Sequence, residues 1–554
     1  MSSEDHPPVY RRELPPVHND PGSQVPVVIV GAGPVGLSLA IELGFRSIKC
    51  LLIEKNDRVG YAPRAKTTNV RTRTHLRRWG IADKLAEAAP LGIDYPSDIL
   101  FVTRLAGQLL AKIPNASNCS AERNDLYPEH AQWIPQYVLE RVLKSHAETL
   151  PSVEIRFSTE FKSAEQNRDT VRVLLRDAAR ERDEEIHCQY LVGTDGARSA
   201  VRQCIGATMA GEYGLSRNYN IVFRAPGLAQ AHPHGPGTMY WQVNPQAPSL
   251  IGPMDRDDIW FFMPTKLPSN VSLSNEDAAA LIRDATGIDL PYEILSKDEW
   301  VASRLIADKY SSGRCFLAGD ACHLHPPFGG FGMNMGVADA VDLGWKLAAR
   351  LQGWGGETLL ASYEIERRQI HERVMDEAVA NHSVLSNDFW CEGLEESSAK
   401  GQTLRARAGE QIAAAKVREF HTLGTVLGLC YERSPVILSD GSNNCSIDGR
   451  KYTPSSHPGC LAPHAWLSDG TSLYDHFGNG FTLIAGKTAS RNDVEAARND
   501  AFALGMPLTV IERFEGDALD AYSARYTLVR PDQYVGFRGD QLPSGTLRKV
   551  TGWA

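Results

Sequence analysis

An acid, two histidines, a proline pair and a run of glycines fall within one stretch, CFLAGDACHLHPPFGGFGMNMG, from Cys315 to Gly336. Its start is short and apolar, as in a buried strand, and Gly319-Asp320 closes it. A carboxylate at a strand end can hold a sugar hydroxyl or the ribityl chain of a flavin. The glycines after Pro326-Pro327 leave bare backbone against which a large flat ring can lie. In the next segment, VADAVDLGWKLAARL, Val337, Ala340, Val341, Gly344, Leu347 and Ala348 recur at three- and four-residue spacing. That spacing predicts a helix with one apolar face. Its N-terminus offers N–H groups and partial positive charge to an electron-rich ring edge. Such charge stabilises an anionic reduced flavin.

A second glycine pattern opens the chain. PVVIVGAGPVGLSLAIEL carries Gly31, Gly33 and Gly36 as G-x-G-x-x-G, with Pro34 inside it. It follows a β-branched run and precedes a helical pattern. The first two glycines allow a tight turn and a close approach to a pyrophosphate, and the third lets helix and strand pack closely. CLLIEK then ends in Glu54-Lys55. Glu54 stands about 20 residues after the glycines, where a carboxylate accepts hydrogen bonds from ribose hydroxyls. Together these features predict a dinucleotide site for NAD or FAD, and the glycine-rich stretch after Asp320 favours FAD.

The elements that carry these residues are far apart, so the domain that gathers them must be discontinuous. Between Asp195 and Asp320 lie YNIVFRAP, GTMYWQVNP, SLIGPM and IWFFMP, short apolar and aromatic runs separated by Pro, Gly, Asn and Asp. They predict an antiparallel sheet. After Arg368 the pattern turns helical to Phe420, and GEQIAAAKVREF reads as an amphipathic helix. Ser, Asn, Gly, Pro and His dominate from Asn443 to Gly459, which predicts a linker.

Bulk properties narrow the function classes. A chain of 554 residues suggests about three to five domains. A net charge of −9 gives nucleic acid no electrostatic footprint. Residues 1–24 are polar and proline-rich and lack the apolar centre of a signal peptide, so a flexible leader is expected. The run Val25–Leu43 contains three glycines, Pro34 and Glu42, and reads as strand plus helix instead of a membrane span. A soluble, cytoplasmic protein is the expectation. Ten cysteines show no Cys-x-x-Cys and no zinc spacing, which predicts free thiols in a reducing compartment and no metal.

The Asp320 stretch resembles the second FAD motif of the single-component flavoprotein aromatic hydroxylases, the family of para-hydroxybenzoate hydroxylase and phenol hydroxylase. YLVGTDGARSAVRQCIG resembles the family's Asp-Gly motif, with Asp195, Gly196, Ser199, Val201 and Arg202 in place. IPQYVLERVL resembles the helix whose glutamine, here Gln136, reaches the FAD. PRAKTTNVRTRTHLRRWGI resembles the segment whose arginine, here Arg64, lies near the flavin, and LLASYEIERR the helix after the flavin site. PGCLAPHAWLSDGTSLYDHFGNGFTLI and LVRPDQYVGFRG resemble the C-terminal domain of the larger members. The resemblance covers essentially the whole chain after the leader.

It implies an α/β fold: a Rossmann-like, glutathione-reductase-like FAD-binding domain, an antiparallel β-sheet substrate domain and a C-terminal thioredoxin-like α/β domain. The expected division gives residues 25–100, 125–205 and 305–385 to the FAD domain and 101–124 and 206–304 to the substrate domain. A helical segment (386–440), a linker (441–459) and the thioredoxin-like domain (460–554) follow. That last domain has Cys460 alone and is expected to be redox-inactive, since exchange needs a resolving thiol.

The implied reaction is hydroxylation of a phenol, ortho to its hydroxyl, by a C4a-hydroperoxyflavin, with NADH or NADPH and O2 as co-substrates. A homodimer is the family expectation. The cofactor set is Gly31, Gly33, Pro34, Gly36, Glu54, Lys55, Arg64, Gln136, Asp195, Gly196, Gly319, Asp320, Pro327, Gly330, Gly332, Met333 and Asn334. Pro327 would aim its carbonyl at the reacting edge, and Gly332 and Asn334 would meet the ring through backbone groups. Tyr240 falls where para-hydroxybenzoate hydroxylase has the tyrosine that contacts the substrate hydroxyl; a core tyrosine is the competing reading. Lys66 stands where phenol hydroxylase has an acid. It could stabilise a phenolate or a carboxylate, or be a solvated lysine. His323 matches a structural histidine of the family, and His325 is left open. Flavin-dependent halogenases carry a Gly-Trp-x-Trp-x-Ile-Pro segment absent here. Another flavin oxidoreductase of this fold, or a non-catalytic flavin sensor, remains the alternative.

Overall fold

The computed structural model of the chain describes residues 25–57, 65–265, 273–382, 384, 386–442, 448–512 and 521–553. The leader, Arg64 and Cys445 lie outside them. Short, wholly apolar runs become the buried centre of a parallel sheet. Its strands lie in the order Cys315–Leu317, Arg182–Gly193, Val25–Val30, Cys50–Ile53, Val153–Arg156. All four neighbouring pairs are parallel. The hairpin strands Thr159–Gln166 and Val171–Asp177 extend it. The helices Pro34–Phe45 and Phe331–Leu351 pack against each other on this sheet. Gly344 is needed at their contact, since a Cβ there would meet Glu42 Cγ at 2.6 Å.

The aromatic runs form a second sheet, ordered His323–Leu324, Glu293–Ala307, Met209–Arg224, Ile259–Pro264, Ser249–Pro253, Met239–Gln242, Ile99–Val102, Leu109–Ile113. Its pairings are antiparallel except that of Met239–Gln242 with Ile99–Val102. Side chains alternate across it as strand geometry dictates. Leu100, Tyr240, Ile251, Trp260 and Phe262 join one core with Ala278 and Ile282 of the helix Asn275–Thr286. Phe101, Trp241, Leu250 and Phe261 join the opposite core with Phe328 and with Ala408 and Ile412 of the helix Ala399–Phe420.

The C-terminal sheet has the order Leu508–Glu512, Phe481–Ala485, Tyr526–Val529, Val535–Gly539, parallel in the first pair and antiparallel in the other two. With the helices Arg491–Leu504 and Thr546–Val550, the unit runs βαβββα along the chain. It is fastened to the FAD domain by buried charge. Arg530 donates to Glu366 at 2.7 Å, to Asp342 at 2.9 Å and to Asp532 at 2.6 Å.

Two expectations need correction here. The linker reading of 441–459 holds in composition only. Residues 443–447 lie outside the described residues, but Tyr452, Ser456 and His457 are buried. Gly459 bonds to Val535 at 2.7 Å and to Tyr431 at 2.8 Å. The stretch is packed, because its backbone pairs with segments on both sides. The free-thiol reading fails at one pair: Cys430 and Cys460 form a disulfide across 30 residues. Cys460 therefore has a partner, supplied from outside its own domain, which spacing alone cannot reveal. Cys50, Cys119, Cys188, Cys204, Cys315, Cys322 and Cys391 are free. Among the described residues no helix is long and apolar enough to cross a membrane.

Candidate active site

The four central strands are parallel and in register, so their C-terminal ends share one edge. Val30, Ile53, Gly193 and Leu317 are neighbours across the sheet. The residues after each strand meet there: Gly31, Glu54, Thr194-Asp195 and Gly319-Asp320. Ligands of open parallel sheets bind at this edge.

The glycines divide by what confines them. At Gly36 a Cβ would lie 1.9 Å from the Gly31 carbonyl oxygen, so this glycine serves helix–strand packing. Gly31 has φ +105° and abuts Thr194 and Asp195. A Cβ on Gly33 or Gly332 meets no protein atom within 4 Å. Their bareness serves no packing within the chain and leaves room for a ligand at two helix starts. The first helix has Gly33 as its N-cap and Pro34 at N1, with no side-chain cap. The second starts after Gly330, at φ +66°, and is also uncapped. Uncapped first-turn N–H groups suit phosphates at one end and a flavin edge at the other.

The acids are engaged. Glu54 accepts the Ala32 N–H at 3.0 Å and the Asn56 side-chain amide at 2.6 Å. Lys55 is exposed. Asp195 accepts the Ala200 N–H at 2.6 Å and the Val201 N–H at 3.1 Å, and also the Ser199 hydroxyl. It thus caps the helix Ala200–Cys204 and holds the Asp195-Gly196 turn against Gly31. Asp320 lies exposed on the turn after Leu317. Gln136 accepts the Ala65 N–H at 3.1 Å and its own N–H bonds the Ala65 carbonyl at 2.9 Å. This clasps the strap that comes after Arg64. The Asn334 side chain is saturated: it accepts from Asn69 N–H and Thr72, and donates to the carbonyls of Thr67 and Gly330. It ties the glycine loop to the strap, and Gly332 and Met333 keep the open side. The Pro327 carbonyl accepts the Gly330 N–H at 3.1 Å, so this residue closes the loop's turn.

Behind the loop lies a hub the motifs did not reveal. Asp339 accepts the Gly319 N–H at 3.0 Å, His323 Nε2 at 2.7 Å and Arg367 Nε at 2.7 Å. His371 Nε2 is 2.9 Å away, and its Nδ1 takes the Tyr310 hydroxyl at 2.8 Å. Burial would raise the Asp339 carboxyl. The surrounding His371, Arg367 and His323 hold it well below the ordinary carboxylate range instead. Cys322, His323 and Asp339 stand close enough together to suggest a metal. Both Asp339 oxygens are already taken by donors, one of them a guanidinium, so the cluster is a positioning network. It fixes His323 as structural. Among the described residues neither buried ring nitrogen of His325 has a partner, and burial pushes its pKa well down.

On the other side of the loop, Phe328 packs at 6.2 Å from Trp241, on the sheet face that also packs against the helix Ala399–Phe420. Here Tyr240 departs from expectation. It points to the opposite face, against His232 and Trp260, and its hydroxyl donates to the Gly235 carbonyl at 2.5 Å. Neighbouring strand residues face opposite ways, and Trp241 is the one turned toward the loop. Lys66 is brought to the same face. Its ammonium lies 4.2 Å from the Phe261 ring centroid. Among the described residues no carboxylate pairs with it, and burial lowers its pKa to about 8.

The profile described as "FAD binding domain" matches residues 24–378, and one described as "Aromatic-ring hydroxylase, C-terminal" matches residues 455–553. This chain belongs to the FAD-dependent aromatic-ring hydroxylases. A 4-methyl-5-nitrocatechol 5-monooxygenase of a Burkholderia species is 31% identical over 95% of this chain and 96% of its own length. The rebeccamycin biosynthetic enzyme RebC, solved with reduced flavin, superposes with a TM-score of 0.87 at 32% identity, over 97% of this chain and 100% of RebC. Aklavinone-11 hydroxylase, solved with FAD and aklavinone, gives 0.81 at 29% over 96% and 99%. The hydroxylase is an enzyme, and FAD is its cofactor. Gly33, Gly332, the two uncapped helix starts and the unpartnered His325 fit that group.

Proposed function

We propose that this hydroxylase adds one oxygen atom to a phenolic ring, ortho to its hydroxyl, with NADH or NADPH as donor. The balance is one phenol, O2, NAD(P)H and a proton giving one diol, water and NAD(P)+. Bound FAD supplies the two-electron relay from nicotinamide to oxygen.

The observation that carries this reading is Lys66. An ammonium half-buried over Phe261, with no carboxylate partner among the described residues, is costly. An ionised phenol supplies the missing charge, and ionisation makes the ring carbon beside the oxygen the better nucleophile. The strap holds the lysine in place: the Lys66 carbonyl accepts the Ile134 N–H at 2.8 Å, close to the Gln136 clasp. Phe101, Trp241, Leu250, Phe261 and Phe328 line this side with buried apolar surface, which keeps water from the reacting atoms. The Asp339 hub holds the Gly319-Asp320 turn, and so fixes where a cofactor seated on it would present its ring. The nitrocatechol-oxidising relative supports a substrate with an ionisable ring hydroxyl.

The test is rapid mixing of the yellow enzyme with NADH or NADPH and O2 across neutral phenols, phenolic acids, substituted catechols and fused-ring phenols. A substrate speeds flavin reduction and yields a product one oxygen heavier. If every phenol leaves reduction unchanged and only hydrogen peroxide forms, the proposal is wrong.

A further inference from the structure

The bridge between Cys430 and Cys460 has open space beside it. Both cysteines line a cavity of about 30 Å³, room for a water-sized group. Asp448, Lys451 and Thr453 line it too and are exposed, so the cavity reaches the surface. Asp448 and Lys451 bring one charge of each sign, so the mouth does not repel an anionic thiolate. Cys430 and Cys460 keep 6% and 5% of their surface exposed. Exchange at a disulfide depends on such access for the attacking thiolate.

Tyr431, the next residue, ties this bridge to the flavin site. Cys430 and Cys460 oppose each other as an antiparallel bridge pair, and the Tyr431 N–H donates to the Gly459 carbonyl at 2.8 Å. Gly459, at φ +91°, leaves no slack: a Cβ there would lie 2.5 Å from the Tyr431 carbonyl oxygen. The Tyr431 ring packs on Tyr534 of the C-terminal domain, 4.4 Å between centroids. Its hydroxyl accepts from Arg367 at 3.2 Å, and Arg367 Nε donates to Asp339 at 2.7 Å. Asp339 in turn holds the Gly319 N–H at 3.0 Å. An unbroken run of contacts therefore leads from the bridge to the turn that carries Asp320. Such a run couples two places only where one end has two discrete states. The bridge supplies them, because two bonded sulfurs become two non-bonded ones that need more room.

We propose that Cys430–Cys460 is a thiol-exchange site whose state sets how firmly FAD is held. The reagent class is a small cellular thiol. Its thiolate attacks one sulfur, the S–S bond breaks, and a mixed disulfide forms while the other cysteine leaves as a thiolate and takes a proton. A second thiolate attacks the reagent sulfur of that mixed disulfide and releases the second cysteine, which is protonated in turn. Two reagent thiols are thereby oxidised to one disulfide, and the bridge gains two electrons and two protons. Reduction lets Tyr431 draw away from Arg367, which loosens the Asp339 hub and the flavin seat it positions. Reoxidation restores both.

Holoenzyme is treated with dithiothreitol or left untreated, cleared of reagent and serially diluted well below its melting temperature. The FAD dissociation constant is read from free-flavin fluorescence. Thiol titration of the unfolded chain should show two thiols gained on treatment. The reduced enzyme should hold FAD about 5- to 50-fold more weakly, and oxidised glutathione should restore the original affinity. The double variant Cys430→Ser/Cys460→Ser should match the reduced enzyme with or without dithiothreitol; should it not fold, the wild type in its two states carries the test. Tyr431→Phe keeps the ring and the bridge but lacks the hydroxyl, and its FAD affinity should lose most of its dependence on dithiothreitol. A bridge that is merely structural would leave that dependence intact. No thiols gained, an FAD affinity that reduction does not change, or full dependence retained in Tyr431→Phe overturns the proposal.

Discussion

Replacing Lys66 by methionine should stabilise the enzyme while it weakens substrate binding. Burial lowers this lysine's pKa from 10.5 to about 8. At about 1.36 kcal/mol per pH unit, the charged form is disfavoured in the folded state by roughly 3 kcal/mol, an upper bound before water and relaxation share the burden. The sign with pH is set by which state binds more protons. Below pH 8 the lysine is charged folded and unfolded, and the full cost is present. Between pH 8 and 10.5 the unfolded chain binds more protons, so stability from this group rises with pH. Lys66→Met never carries the cost. Its melting temperature should exceed that of wild type at pH 7, and the gap should close by pH 10.5. With about 2.1 cal/mol/K of unfolding entropy per residue, 2 kcal/mol corresponds to roughly 2 °C over the chain. The same variant should raise KM for phenols that are ionised at the assay pH about tenfold or more, since the counter-charge is gone. Melting scans at pH 7, 9 and 10.5, paired with steady-state kinetics, check both halves. A variant that melts lower than wild type at pH 7, with no pH trend, would refute the argument that Lys66 is an uncompensated buried cation.

Other outcomes rest on the geometry. Gly33→Ala should fold and melt near wild type but lose most of its FAD, whereas Gly36→Ala, with a Cβ 1.9 Å from the Gly31 oxygen, should fail to accumulate as folded protein; flavin absorbance and melting separate the two. Reductant should lower the melting temperature of wild type but not of Cys430→Ser, because a bridge across 30 residues contributes about 3–4 kcal/mol in the chain-entropy estimate. Tyr240→Phe should leave KM for phenols unchanged and cost about 1 kcal/mol of stability from its lost bond to Gly235. A KM change of tenfold would return Tyr240 to the substrate face.

The features that the amino-acid order determined by itself were local. The β-branched and apolar runs specify buried strands. The glycine spacing specifies a turn in which Gly31 and Gly36 admit no Cβ, and the recurrence from Val337 to Ala348 specifies a helix. These depend on sterics within a few residues, so the cofactor edge was legible from composition and spacing. The features that only the tertiary structure decided depend on contacts between distant segments. Tyr240 and Trp241 are adjacent, and which of them faces the flavin loop is set by pairing with Ile99–Val102, about 140 residues earlier. A shift of one residue exchanges them. Lys66 is an ordinary lysine until Phe261 lies beneath it. The Asp339 hub assembles residues from two helices, a turn and a two-residue strand. Cys430 meets Cys460 because Tyr431 and Gly459 pair their backbones. Arg71 donates to Gln533 across 462 residues, so the strap beside the flavin site is braced by the C-terminal domain. Each of these is a question of register or docking, and the free energy that settles it comes from packing that no local window contains.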